Sequence, residues 1–190
     1  LYGVNLLGDA EHAFQMACQF GASFLQMDSV CGHLRPGKHM KGYDATSLQK
    51  KTCDGDFEER LKELRDQYPV FLLGGVRFKY QPVRSGRSEE DDLLIGKTRC
   101  DAVVVTGVGT GIETDLEKIQ MFRRVLGDHP LIVGAGMNSE NCIAQLTLSD
   151  GAIIGSAFKE NGATDRMVDK KRVIEIMDKV RQVRSMTSSA

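Results

Sequence analysis

Residues 131–159 read LIVGAGMNSENCIAQLTLSDGAIIGSAFK, and the choice between two α/β folds depends on them. Two short apolar runs, LIV and AII, each lead into a glycine-containing turn, GAGMNSEN and GSAFK. Such runs are typical of buried parallel strands, and glycines let a backbone approach an anion closely. Two such turns at consecutive strand ends predict phosphate binding, although tight strand-to-helix turns would use the same glycines. The residues expected to bind phosphate here are Gly134, Gly136, Asn138, Gly155 and Ser156.

The same alternation runs along the rest of the chain. Apolar, β-branched or aromatic runs begin near residues 3, 24, 71, 102, 131 and 152, with segments of helical spacing between them. Their near-continuous hydrophobicity indicates parallel strands that are covered on both faces. The sequence therefore predicts six βα units.

Several helix ends can be predicted from capping residues. Asp9 is expected to cap a helix that ends at Gly21, and Asp115 one that ends at Gly127. Ser88 is expected to cap a third helix, whose EEDD run reads as a solvated first turn. A last helix is predicted over residues 169–184. The helical positions expected to face the core are Phe14, Ala17, Cys18, Ile119, Phe122, Leu126, Val173, Ile176, Met177, Val180 and Val183.

Repeated βα units suit either a closed (β/α)₈ barrel or an open doubly wound sheet. A doubly wound sheet places its glycine-rich turn after the first strand, whereas phosphate-binding barrels commonly place theirs after the last two strands. The late glycine turns favour the barrel, with the six runs as strands three to eight. The 190 residues are short of the roughly 250 of a whole barrel. We expect one barrel domain over residues 1–184 and a flexible tail over residues 185–190.

Composition excludes several classes of protein. The 25 Lys and Arg residues balance 26 Asp and Glu, so the net charge of −1 argues against the broad basic surface of a nucleic-acid-binding protein. No apolar run approaches the 18 residues of a membrane span, and no leader is visible. We expect a phosphorylated small molecule as partner. Peripheral association with a membrane and assembly into a homo-oligomer stay open.

The cysteines indicate the compartment. Their number is five, and they are scattered without CxxC or His pairs, so reduced thiols in a soluble intracellular protein are expected, in the cytoplasm or in an organelle. Four groups for a tetrahedral zinc ion are not brought together by this spacing, so we expect no metal. No cofactor is predicted.

Ligands of a barrel bind at the C-terminal ends of its strands, and this rule selects the remaining candidates. Asp28 is the best carboxylate for proton transfer, although a loop-capping aspartate would look the same. Lys79 can form a Schiff base, neutralise a phosphate or polarise a carbonyl, or it can be a salt-bridged surface lysine. We expect the other candidates to orient or enclose a ligand, unless the glycine turn is purely structural: Asn5, Thr106, Gly107 and Thr110.

Two basic loops complete the set of candidates. The loop CGHLRPGKHMKGYDAT follows a strand, and it can recruit an anionic substrate or act as a lid. Its basic residues are His33, Arg35, Lys38, His39 and Lys41. A second loop offers Arg84 and Arg87 as phosphate contacts.

These motifs together resemble the BtpA/SgcQ family of TIM-barrel proteins. The resemblance rests on GVNLLGDAEHAFQMACQFGASFLQMD, VRFKY, DAVVVTGVGTGIETDLEKIQMFRRVLGDHPLIVGAGMNSENC and DGAIIGSAFKENG, and it covers residues 3 to 184. It implies a phosphate-binding barrel in which GVN is the third strand, so that the first two βα units of the family are not in this sequence. The family's associations with photosystem I biogenesis and sugar metabolism do not fix a reaction.

The resemblance also implies roles for individual residues. The family pattern matches the TG pairs at 106–107 and 110–111 and the glycine turn at 134–136, with Asn141 at the usual asparagine. This sequence reads NSEN where members commonly read TPEN, which should preserve the helix cap because Asn caps as Thr does. It reads QMDSV where an RVNV-like run is usual, so no inherited role supports Asp28.

Three functions compete on these grounds. The leading interpretation is a barrel that binds a sugar phosphate or nucleotide-like ligand and acts as a lyase, isomerase or transferase. The alternative is a non-catalytic assembly or biogenesis factor of the photosystem or membrane type, which uses the barrel as a binding platform. A third interpretation is a degraded paralogue whose incomplete barrel persists inside an oligomer.

Overall fold

A computed structural model describes residues 1–6, 9–31, 56–80 and 86–187 of the chain. The six predicted strands are all present, which confirms an α/β protein with parallel strands. They are β1 (Gly3–Asn5), β2 (Phe24–Met27), β3 (Phe71–Gly75), β4 (Ala102–Val105), β5 (Leu131–Val133) and β6 (Gly151–Ala152). The helices are α1 (Ala10–Gln19), α2 (Asp56–Gln67), α3 (Glu89–Arg99), α4 (Leu116–Leu126), α5 (Cys142–Thr147) and α6 (Lys170–Thr187).

The chain divides into two compact units, Leu1–Val104 and Val105–Ala190. In the first unit β1 pairs with β2, β2 with β3 and β3 with β4, all parallel. Gly74 lies opposite both Met27 and Val103, so β3 is hydrogen-bonded on both edges. The strand ends that follow Asn5, Met27 and Gly75 therefore lie along one edge of this sheet.

The core of the first unit forms between this sheet and helices α1, α2 and α3. Phe14, Leu25 and Leu72 are fully buried, as is Leu93. The predicted caps are confirmed here. The Asp9 side chain accepts a hydrogen bond from the backbone N–H of His12, and Ser88 forms a reciprocal capping box with Asp91.

In the second unit β5 and β6 are parallel, with Val133 opposite Ala152. Helix α4 begins after its predicted cap Asp115 and ends at Gly127. Its residues Ile119, Phe122 and Leu126 are fully buried, as predicted. Burial of each such side chain contributes about 1.5–3 kcal/mol. Beyond β6 the chain makes two short 3₁₀ turns, Ser156–Phe158 and Glu160–Gly162, before α6.

Two helix predictions need correction. Cys18 is exposed. The buried face of α1 consists of Ala10, Ala13, Phe14 and Ala17, and Cys18 lies beside this face and not on it. The last helix continues to Thr187, so three residues of the predicted tail are helical. Of the core positions predicted on α6, Ile176 and Val183 are buried, and Val173, Met177 and Val180 are half-buried.

Candidate functional site

In the first unit Asn5 and Asp28 lie together at neighbouring strand ends. Asn5 is the last residue of β1 and Asp28 directly follows β2. The Asn5 Nδ2 donates to the Asp28 Oδ1 at 3.4 Å. Burial raises the pKa of the Asp28 carboxyl above its ordinary value, while the bond from Asn5 and the charge of Lys79 lower it by less. A carboxyl with a raised pKa can both donate and accept a proton nearer neutrality.

Lys79 lies in a turn four residues beyond the end of β3, and not on the strand itself. Its ammonium is 5.5 Å from the centroid of the Phe78 ring, a distance suited to a cation–π contact. The backbone on both sides of it is unusual, because Arg77 has φ +50 and Tyr80 has φ +62. Such left-handed conformations are rare for residues other than glycine and persist where surrounding contacts fix them.

Behind this turn, Asp92 of α3 is a fully buried carboxylate. Arg77 Nε donates to its Oδ2 at 2.5 Å, and Arg87 Nε donates to its Oδ1 at 2.8 Å. The prediction that EEDD is a solvated turn is therefore wrong at its last position. Arg87, predicted as a phosphate contact, forms an ion pair with this carboxylate through its Nε. Burial, followed by the Asp92 charge, raises the pKa of the adjacent Cys31 thiol to about 12.

In the second unit the two ends of the turn after β4 are in contact. Thr106 is fully buried, and its carbonyl accepts a hydrogen bond from Lys118 Nζ at 2.9 Å. A Cβ on Gly107 would lie 2.5 Å from the carbonyl oxygen of Glu113, so the two ends of this turn are in close contact. Thr110, by contrast, is exposed at the tip of the turn. Of the two threonines, Thr110 is therefore the one with an exposed side chain.

The turn after β5 packs against the turn after β4. Gly136 has φ +74, and a Cβ there would collide with the carbonyl of Ile112. Gly134 N–H donates to the carbonyl of Val105 at 2.7 Å. The Asn138 Oδ1 accepts hydrogen bonds from the backbone N–H groups of Glu140 and Asn141, so this side chain stabilises the turn in which it lies. These bonds lie in the turn before α5. The helix itself begins after Asn141, whose side chain makes no capping hydrogen bond, so the predicted side-chain cap at the helix start is not formed.

The turn after β6 contacts the turn after β4. A Cβ on Gly111 would lie 3.2 Å from the Ser156 Oγ, and Gly155 is exposed. The three turns that follow β4, β5 and β6 therefore come together within the second unit. The predicted residues that take part in these contacts are Gly107, Gly134, Gly136 and Ser156.

Sequence reasoning missed the polar side chains that support these turns. Gln145 is fully buried on α5, and its Nε2 donates to the Thr114 carbonyl at 3.0 Å. The Thr114 hydroxyl in turn donates to the Ala135 carbonyl at 3.1 Å. The spacing could have predicted the burial of Gln145. This residue lies three positions after Cys142 on a short helix, and so on the same face, which is otherwise apolar.

Some predictions fall outside the described residues. His33, Arg35, Lys38, His39, Lys41 and Arg84 all lie there. Within residues 1–6, 9–31, 56–80 and 86–187, no three His, Cys, Asp or Glu side chains are grouped so as to hold a metal ion. In the same residues no helix has both the length and the apolar character to cross a membrane.

Comparison with known proteins identifies relatives of the chain. Residues 87–182 match the model of the BtpA family. An uncharacterized protein of Pyrococcus abyssi is 33% identical over 96% of this chain and 66% of its own length. The sgc region protein SgcQ of Escherichia coli is 31% identical, over 96% and 65%. The photosystem I biogenesis protein BtpA of Synechocystis sp. is 22% identical, over 90% and 57%. The chain spans less than two thirds of the length of these curated relatives.

Solved structures share the fold at low sequence identity. One described as "Native KDPGal structure" has a TM-score of 0.59 at 10% identity, covering 96% of this chain and 69% of that chain. N-(5'-phosphoribosyl)anthranilate isomerase from Pyrococcus furiosus has a TM-score of 0.52 at 18% identity, covering 95% and 88%. At these identities the likeness concerns the fold alone.

Proposed function

The chain belongs to the BtpA family, and from this membership we propose that it is part of a phosphate-binding (β/α)₈ barrel that binds a phosphorylated small molecule. The observation that carries the proposal is the meeting of three glycine turns in the second unit. Gly136 packs against Ile112, and Gly111 lies beside Ser156. The turns after the last strands are where barrels of this class commonly bind phosphate.

Phosphate binding at these turns depends on backbone and hydroxyl donors. Turns without Cβ atoms leave backbone N–H groups open to an anion, and successive N–H groups form concave anion sites. The hydroxyls of Ser156 and Thr110 add donors, because Ser156 is half-buried beside Gly111 and Thr110 is exposed on the same turn. Hydrogen bonds from neutral donors to a charged oxygen are stronger than neutral pairs.

The chemical part of the proposal belongs to the first unit. Asp28 is the general acid or base, because burial has raised its pKa and a ligand proton can be exchanged there. Lys79 stabilises negative charge that develops on the ligand, and Asn5 orients the Asp28 carboxyl through its Nδ2. These roles suit a lyase, isomerase or transferase that acts on a sugar phosphate or nucleotide-like substrate.

Ligand binding is tested by calorimetry and thermal shift with matched pairs: ribose 5-phosphate against ribose, adenosine monophosphate against adenosine, and inorganic phosphate. A ligand that binds the native state raises the midpoint of unfolding by mass action. We expect selective shifts with phosphorylated compounds and about tenfold weaker binding in Ser156→Ala, the effect of one charge-assisted hydrogen bond. Ser185→Ala on α6 is the control. The absence of any shift with phosphorylated compounds contradicts the proposal.

Lys79→Met and Asp28→Asn test the chemical part once a ligand is found. We expect both variants to lose turnover, with phosphate affinity retained because the phosphate turns are unchanged. Unchanged affinity and turnover in Lys79→Met would remove Lys79 from the site. Unchanged turnover in Asp28→Asn would remove proton transfer from Asp28.

A second candidate is a non-catalytic biogenesis factor, which is favoured by the name of the relative in Synechocystis sp.. Complementation of a strain that lacks its own family protein distinguishes the two functions. The enzyme proposal predicts that Lys79→Met and Ser156→Ala fail to complement. A factor that only binds a partner predicts that both variants complement fully, and that substitutions on the outer faces of the helices fail.

A further inference from the structure

The loops that carry Asp28 and Lys79 are both attached to one buried carboxylate. Asp92 lies at the start of α3 with no exposed surface. It binds Arg77 at 2.5 Å and Arg87 at 2.8 Å, each arginine using its Nε. Neither guanidinium is fully buried, whereas the carboxylate is, so the network is centred on Asp92.

Arg77 connects Asp92 to the turn of Lys79. It is two residues before Lys79, and its backbone has φ +50. Its Nη2 also donates to the carbonyl of Arg87 at 2.7 Å. A left-handed conformation at a non-glycine residue costs free energy, and it persists only where other contacts fix it. The ion pair with Asp92 provides such contacts.

Arg87 connects the same carboxylate to the loop of Asp28. Its Nη2 donates to the carbonyl of Cys31 at 2.5 Å, three residues after Asp28. The Cys31 thiol donates to the Asp92 carbonyl at 3.2 Å, and the Val30 N–H donates to the Gly75 carbonyl at 3.1 Å. The loop after β2 is thereby attached both to α3 and to the end of β3.

We propose that Asp92 is a positioning residue that holds Lys79 near Asp28, through Arg77 on one loop and Arg87 on the other. This inference rests on the proposed roles of Asp28 and Lys79. A buried ion pair commonly contributes no more stability than apolar residues of the same volume would. A geometric role accounts for its presence between two loops that carry candidate reactive groups.

The test is the pKa of the Asp28 carboxyl, measured by ¹³C NMR titration of the folded protein. Lys79→Met removes a charge that lowers this pKa, so the pKa should rise. Asp92→Asn should also raise the Asp28 pKa, by at least half of the rise in Lys79→Met, because Lys79 is no longer held near Asp28. Loss of the negative charge of Asp92 would by itself lower the Asp28 pKa, so a rise reports the movement of Lys79.

Asp101→Asn is the matched control. Asp101 also binds an arginine, Arg65 at 2.7 Å, and accepts from the Leu72 N–H at 2.7 Å. Its loss should destabilise the same unit and leave the Asp28 pKa unchanged. An equal rise in Asp101→Asn would show general loosening and overturn the positioning role.

The remaining outcomes separate the inference from the function on which it rests. If Lys79→Met raises the Asp28 pKa and Asp92→Asn does not, the positioning role is wrong and the pairing of Lys79 with Asp28 stands. If Lys79→Met leaves the pKa unchanged, the pairing itself is wrong. Should Asp92→Asn fail to fold, Arg87→Lys keeps the positive charge and leaves the bond between Arg77 and Asp92, but it loses the guanidinium donor to the Cys31 carbonyl. It should give a smaller rise, and no rise would overturn the inference.

Discussion

The candidate residues of the first unit are held by charged side chains, whereas the turns of the second unit are held by contacts between backbone atoms. Asp92 and its two arginines fix the loops near Asp28 and Lys79. In the second unit Gly107 and Gly136 bring carbonyl groups so close that no Cβ fits between them. One region depends on charge and the other on the absence of a side chain.

This difference suits the work proposed for each region. Proton transfer needs a carboxyl and an ammonium at fixed distances. Hydrogen-bonded ion pairs can fix such distances, because they constrain the orientation of the groups that they join. Phosphate binding needs backbone N–H groups free of side chains, which glycine provides. Each region should therefore fail under a different kind of substitution.

Gly136→Ala should have the largest effect. The alanine would adopt φ +74 and its Cβ would collide with the Ile112 carbonyl. A left-handed non-glycine residue costs about 1–2 kcal/mol and overpacking a further 1–3. We therefore expect a loss of about 2–5 kcal/mol in the free energy of unfolding, measured by urea denaturation.

The control for Gly136 is Gly21→Ala. Gly21 has φ +66, but the nearest atom to a Cβ there is the Tyr2 hydroxyl at 3.7 Å. Only the conformational cost of about 1–2 kcal/mol should remain. Equal losses at the two glycines would show that the contact between the turns contributes nothing.

Asp92→Ala should rank second. Removing one partner of a buried ion pair costs about 3–5 kcal/mol, and the partly exposed arginines place this case near 3. Urea denaturation at low and high salt measures the loss, which should change little with salt because the carboxylate is shielded from the solvent. Asp66→Ala breaks the exposed pair with Lys62 and should leave the midpoint almost unchanged.

Lys118→Met should have a smaller effect. Lys118 Nζ donates to the Thr106 carbonyl at 2.9 Å and lies 5.5 Å from the centroid of the Phe122 ring. Loss of one partly buried hydrogen bond from a charged donor costs about 1–2 kcal/mol. Lys171→Met, at an exposed position on α6, is the control. A similar loss in both variants would remove Lys118 from the support of the turn.

The sequence was sufficient to predict the strands, most helix caps and the placement of Asn5 and Asp28 at strand ends, because these follow from local patterns. The runs of buried residues and the caps Asp9, Ser88 and Asp115 require only neighbouring residues. The glycine turns could be located, but which carbonyl each glycine approaches depends on contacts between distant residues. Gly136 and Ile112 are an example.

Asp92 shows where a signal was present and was missed. It stands in an acidic run, which is typical of an exposed first turn. Its spacing of four from Gly96 and eight from Cys100 puts it on the buried stripe of α3. The partners of its carboxylate come from residues 77 and 87, and no local pattern predicts them.

Asp28→Asn should have the smallest effect, and it should be stabilising. Burial raises the pKa of Asp28 in the folded state, so its protonated form stabilises the fold at low pH. That contribution is lost as the pH rises through the raised pKa. The uncharged variant does not titrate, so its advantage over the wild type should grow from about pH 3.5 to pH 7, measured by urea denaturation across this range.

Asp91→Asn should show the opposite dependence on pH. Hydrogen bonds with the side chain and the backbone of Ser88 lower the pKa of Asp91, so its contribution is present at neutral pH and is lost as the pH falls through the lowered value. The variant should be less stable than the wild type at pH 7, and the difference should shrink on acidification. If both variants showed the same sign of pH dependence, the ionised form of Asp28 would be stabilised by its neighbours in the folded state, as that of Asp91 is. Asn5 and Lys79 would then outweigh burial, and Asp28 would be a poor proton donor near neutral pH.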